Sequence, residues 1–125
     1  MIDIEEILTG YKIIEAFEFS GRVKRVLDEV QELLPYLDVS DVPETVLTML
    51  DTLNLSPSPT HGKENLTAYV YLIKAFCHYY RGDSFMSNRC VLIVEDVPEW
   101  KVLINKKKLV EIKEIARLFK ENHLM

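Results

Sequence analysis

Residues Leu66–Tyr80 read LTAYVYLIKAFCHYY, and this stretch decides the fold. It is apolar or aromatic on nearly every side, with Lys74 and His78 as its main interruptions. A helix without a polar face has to be enclosed by its own chain or by a partner. It is too short to span a bilayer, which takes about 20 apolar residues. The expected fold is therefore mainly α: a compact domain of about five helices around a buried central helix over residues 66–80, with a short hairpin capping the assembly.

The flanks of this segment carry turn chemistry. Before it, residues 54–65 read NLSPSPTHGKEN, a surface loop or hinge rich in turn formers, with Asn65 placed to cap the helix. After it, Gly82 is placed to end the helix in a left-handed conformation, and Asp83 or Ser84 starts the next element. Arg81-Gly82-Asp83 spells the tripeptide read by adhesion receptors. With no sign of export, the preferred reading is a C-cap glycine followed by an N-cap aspartate. Residues 90–104 admit two readings. As a helix reaching back to Met86, the apolar face is Met86, Cys90, Ile93, Val94 and Val97. As strands, Cys90–Val94 and Lys101–Ile104 flank the turn-like Glu95–Glu99, and their β-branched content favours this hairpin.

Upstream, Asp3 opens a first helix whose apolar face runs from Ile4 to Phe17. A second follows Ser20-Gly21, with Val23, Val26, Leu27, Val30, Leu33, Leu34 and Leu37 at three-and-four spacing, and Pro35 ends it near Leu34. Arg25 and Glu29, four apart, are placed to pair. Asp41, with Pro43 early, opens a third helix bearing Val42, Val46, Leu47, Met49, Leu50 and Leu53. Downstream, Asn105 is placed to cap a last helix over 106–122, with Leu109, Ile112, Ile115, Ala116, Leu118 and Phe119 as its stripe.

The 125 residues fit one domain, 1–125, with 48% hydrophobic and 28% charged residues, a globular balance. Net charge is −5, which weighs against non-specific nucleic-acid binding. The charge is uneven: residues 1–60 hold 12 acidic and 4 basic side chains, and 61–125 hold 8 and 11. Either the two halves attract each other on folding, which is preferred, or the acidic half serves a basic partner. Cys77 and Cys90 sit in apolar surroundings as small hydrophobes, and the acidic start MIDIEEILTG lacks a signal-peptide pattern, so a cytosolic, reduced protein is expected.

Candidate chemistry is sparse. Cys77 and His78 are adjacent, but helical neighbours point about 100° apart, so the imidazole does not meet the thiol. Arg117 and His123, in RLFKENH, resemble the arginine-x5-histidine motif of HEPN-domain ribonucleases, which are small and all-helical. The resemblance implies that the pair acts on a scissile phosphate, with histidine moving the proton. Leu118 departs from the polar residue usual after the arginine. Lys106–Lys108 form the basic cluster of the chain and suggest a winged-helix-like DNA binder, although Glu95, Asp96, Glu99, Glu111 and Glu114 flank them. As a helix start, these lysines oppose the dipole. Residues 68–98 are similar to one tetratricopeptide unit in Tyr80, Gly82-Asp83 and Pro98. Val91 and Val94 replace that family's compact residues, and one unit cannot bury itself.

The preferred reading is a small cytosolic protein-binding protein, of adaptor, immunity or inhibitor type, acting by surface occupancy rather than as an enzyme, with a HEPN-like ribonuclease using Arg117 and His123 or a winged-helix-like DNA binder as the alternatives. Tyr69, Tyr71, Tyr79, Tyr80 and Trp100 are its candidate contact residues, because tyrosine and tryptophan are favoured at binding hot spots. The expected partner is another protein or a second copy of the chain, not nucleic acid or a membrane, and no cofactor or metal is expected.

Overall fold

The computed structural model describes residues 21–53, 64–97, 101–104 and 108–123. Among them the chain is mainly α, with five α-helices and one two-stranded sheet. The order is α1 (Gly21–Leu33), α2 (Val42–Asp51), α3 (Glu64–Tyr80), α4 (Ser84–Glu95), β1 (Lys101–Ile104), β2 (Lys108–Glu111) and α5 (Ile112–His123). The helix expected from Asp3 lies outside the described residues, as does the loop expected over 54–65 apart from Glu64 and Asn65, which belong to α3.

The central helix is enclosed. Every residue from Thr67 to Cys77 is buried, on all sides of α3. Its cover comes from α2, α4 and α5, while α1 packs on α2. Val26, Leu27 and Val30 on α1, and Val46, Leu47 and Leu50 on α2, supply the buried stripes their spacing implies. On α5, Ile112, Ile115, Ala116 and Phe119 do the same, and the Phe119 ring lies tilted against that of Phe76, centroids 4.4 Å apart. Burying one such side chain contributes about 1.5–3 kcal/mol, so the core is built chiefly by what surrounds α3.

Local chemistry sets the boundaries. Pro35 has no amide hydrogen to continue a helix, so α1 stops at Leu33 and a 3-10 turn, Leu34–Tyr36, follows. A second 3-10 turn, Val39–Asp41, leads into α2, where Pro43 sits in the first turn and needs no donor. At the end of α3, Gly82 adopts φ +85°. The Asp83 amide donates to His78 O (2.9 Å) and the Gly82 amide to Tyr79 O (2.9 Å), which closes the helix with a Schellman motif. Asp83 then accepts from the Met86 amide at 3.0 Å and caps α4. Arg81-Gly82-Asp83 is thus a helix stop followed by a helix start.

The expected hairpin over 90–104 is corrected. Cys90–Val94 is helical, inside α4. Its β-branched residues fill a helix–helix contact: Ser87, Cys90, Val91 and Val94 are buried, and Ser87 Oγ donates to Ala75 O at 2.7 Å across the contact with α3. The strands lie later. β1 pairs antiparallel with β2, Lys101 opposite Glu111 and Ile104 opposite Lys108. The last helix accordingly starts at Ile112 and not at Lys106. A start at Lys106 places three lysines against the positive end of the dipole, whereas the first turn of α5 carries Glu114.

Candidate functional site

Of the five aromatic residues singled out above, the four described, Tyr69, Tyr71, Tyr79 and Tyr80, do not share one surface. Tyr69 is fully buried and Tyr71 nearly so, and burial holds both phenols above the usual tyrosine range. Tyr69 therefore belongs to the core and is closed to a partner in this fold. Tyr79 is half-buried, edge-on to Phe119 (5.6 Å) and close to His123 (4.5 Å). Tyr80 is exposed, its ring edge-on to Tyr79 at 5.3 Å. Trp100 lies outside the described residues. The enclosure of α3 was underestimated from sequence because Cys90–Val94, read as the first strand of a hairpin, belongs to α4 (Ser84–Glu95), the helix that completes its cover.

The titratable groups are placed structurally. All three of Arg117's paired nitrogens engage α5 itself: Nε and Nη2 reach Glu114, and Nη1 reaches Glu121 at 2.7 Å, so its charged form is stabilised. His123 lies six residues further along the same helix, about 9 Å of rise and 240° of rotation away, in ring contact with Tyr79 and Phe119. The helix does not bring the pair together. Burial pushes the Cys77 thiol up to about 12 and the Cys90 thiol up to about 11, so both are unreactive thiols at neutral pH. His78 Nδ1 is enclosed without a hydrogen-bond partner, and burial lowers the imidazole's pKa. Among the described residues, no three His, Cys, Asp or Glu side chains gather into a metal-binding set. Lys106 and Lys107 lie outside the described residues, and Lys108 opens β2.

Exposed apolar area lies elsewhere. On α4, Phe85 is 71% exposed and Leu92 50%. Seven residues apart, they stand within about 20° of each other at the middle of the outward face. Arg89 lies beside that line, its guanidinium 5.9 Å from the Phe85 ring centroid. In the connector between α1 and α2, Tyr36 is 86% exposed and Val39 89%. The helical reading of residues 86–97 left Leu92 off its core face and did not reach Phe85, so the α4 stripe was not read from the sequence. Tyr36 and Val39 carried no such signal, because their exposure follows from how two 3-10 turns are set between helices.

Charge is distributed with equal clarity. Between Arg25 and Lys63 the chain has seven carboxylates and no lysine or arginine. Arg81 on the α3–α4 turn reaches Glu44 at 2.8 Å, and Lys74 on α3 reaches Asp51 at 3.1 Å. These pairs join the acidic and basic halves of the sequence. Among the described residues, Glu29, Glu32, Asp38 and Asp41 are exposed and form no ion pair, and Arg25 does not reach Glu29. Comparison of the chain with protein-family models, with curated proteins and with solved structures returns no significant match.

Proposed function

We propose that this is a protein-binding protein that acts by occupying a partner's surface. The observation that carries the reading is the exposure of Tyr36 and Val39, 86% and 89%, on two successive hydrogen-bonded turns. Large apolar side chains that stay in water on an ordered backbone lose little further freedom on binding and gain by leaving the solvent. The stripe of Phe85 and Leu92 on α4 offers a second apolar contact of the same kind. Scattered exposed apolar residues are ordinary; here they come in two pairs, one on the connector and one along the outward face of α4.

The test is site-specific photo-crosslinking in the native cell. A benzophenone side chain is placed at Tyr36, at Phe85 and, as control, at Thr48, an exposed residue of α2. The expected result is a discrete crosslinked species from Tyr36 or Phe85 and none from Thr48. Equal, diffuse labelling from all three positions overturns the reading.

A further inference from the structure

We infer that the connector between α1 and α2 is a docking ridge for a basic protein surface carrying an apolar socket. The inference rests on the proposed binding role and specifies the chemistry of the partner.

The ridge is built, not loose. Leu37 N donates to Leu34 O at 3.2 Å and Asp41 N donates to Asp38 O at 2.9 Å, so each 3-10 turn is closed. Pro35 fixes its own φ, and extended conformations at Leu37 and Asp38 separate the turns. Leu37 and Leu34 are half-buried, and Leu34 packs on the core. The two large apolar side chains of the connector left outward are Tyr36 and Val39, one from each turn.

The electrostatics select the partner. The fold spends the two nearest cations of α3 and its turn, Lys74 and Arg81, on Asp51 and Glu44. Among the described residues, Glu29 and Glu32 at the end of α1, and Asp38 and Asp41 within the connector, form no ion pair. Tyr36 and Val39 thus project from a stretch, residues 26–41, whose charged side chains are all acidic. Such a field accelerates encounter with a basic surface and repels an acidic one. Nucleic acid and anionic lipid are excluded by sign. A second copy docking ridge to ridge is also excluded, since a symmetric contact sets these carboxylates against their own equivalents. A protein surface with Lys or Arg around an apolar depression satisfies both the charge and the exposed side chains.

The experiment uses the full chain and three synthetic peptides of equal length: alternating Arg and Leu, alternating Glu and Leu, and alternating Arg and Ser. Binding is followed through backbone amide resonances, at low and at high salt. The Arg–Leu peptide is expected to perturb Leu33–Asp41 and to bind more tightly than the other two, with affinity falling as salt rises. Asp38→Asn with Asp41→Asn is expected to weaken it by about twofold to fivefold per charge removed. Tyr36→Ser with Val39→Ser is expected to reduce it to the level of the Arg–Ser peptide; thermal unfolding of each variant verifies that the fold is kept. Perturbation centred elsewhere, equal binding of the Glu–Leu peptide, or self-association through Tyr36 overturns the inference. The two readings fail separately: a Tyr36 crosslink to a partner with an acidic contact surface removes this inference and keeps the binding role, whereas the absence of any specific crosslink removes the role itself.

Discussion

Lys74 Nζ lies 3.1 Å from Asp51 Oδ1, with only 11% of the lysine side chain exposed against 68% of the aspartate. The ammonium also stands 4.9 Å from the Tyr71 ring centroid. Lys74 is the one charged residue in the otherwise apolar run of α3, and the fold accommodates it by running its stem through the core boundary to a carboxylate on α2. A charge drawn out of water needs its partner more than the exposed partner needs it. Asp51→Asn is therefore expected to lower stability by about 1–2 kcal/mol, below the value for a fully buried pair because Asp51 is solvated. Lys74→Met is expected to be neutral or stabilising, and Asp51→Asn to cost nothing in that background. Denaturant unfolding of the four proteins gives the coupling directly; additive effects count against the account.

The Gly82 backbone gives a cleaner case. Its φ is +85° and no heavy atom lies within 4 Å of a Cβ built there, so a side chain meets open space and the cost of adding one is purely conformational. Gly82→Ala is expected to cost about 1 kcal/mol and Gly82→Asn less, since asparagine tolerates left-handed backbone. Equal stability of glycine and alanine at this position sinks the Schellman assignment as the reason α3 ends where it does.

The same turn shows what could be read in advance and what could not. The centre of the fold was legible because α3 has no polar face: composition alone requires enclosure, whatever the partners. Ends set by single residues were legible too, as Pro35 and Gly82 act through covalent geometry. Residues 84–95 were not. The branched residues Val91, Ile93 and Val94 suit a strand, and they equally suit a helix that packs against another helix. Phe85 and Leu92, apolar on the outer side, blur the helical period further. The lysines at 106–108 conflict with a helix dipole, but the apolar stripe from Leu109 outweighs them in the sequence and places the start at Lys106, ahead of Ile112, where α5 begins. The candidate site was legible only in its charge, since the acidic run is a property of the chain. The exposure of Tyr36 and Val39 is a property of packing.

His78 offers a pH test with a defined sign. Burial lowers its pKa in the folded state, with Asp83 and Asp51 opposing and Arg81 and Lys74 assisting. The unfolded chain then binds a proton more readily than the folded one. Stability from this residue is fully present above the unfolded pKa, near 6.5, and declines as pH falls below it, levelling off beneath the folded value. Replacing His78 with Gln is expected to flatten the stability profile between neutral pH and the mildly acidic range. Unfolding free energies of wild type and variant measured across that range decide it; parallel profiles contradict the assignment.

Across the contact between α3 and α4, Ser87 is fully buried and donates to Ala75 O at 2.7 Å. Its small size is as important as its hydroxyl, because it lets the two helices approach. Ser87→Ala, which keeps the size, is expected to cost about 1 kcal/mol from the lost hydrogen bond. Ser87→Leu is expected to cost more, about 1–3 kcal/mol from overpacking alone, as the added carbons push the helices apart. Thermal unfolding orders the three proteins. If leucine is tolerated as well as alanine, the helices do not meet as closely as this geometry requires.

The last test concerns whether α5 truly completes the enclosure of α3. Phe119 is 2% exposed and its ring lies 4.4 Å from Phe76 and 5.6 Å from Tyr79, both on α3. Its neighbour Leu118 is 38% exposed. The two residues are about 100° apart on one helix, so the same truncation at each reads the two faces separately. Phe119→Ala is expected to cost about 3–5 kcal/mol, the range for opening a cavity at a buried aromatic. Leu118→Ala is expected to change stability by about 0.5 kcal/mol or less. A loss of that size at Phe119 is a large share of the about 5–15 kcal/mol that holds an ordinary domain together. It is expected to bring faster amide hydrogen exchange along Tyr69–Cys77, because that stretch loses part of its cover. A Phe119→Ala protein with wild-type stability and unchanged exchange on α3 shows that the helix is covered without α5, and the packing described above then fails at its C-terminal side.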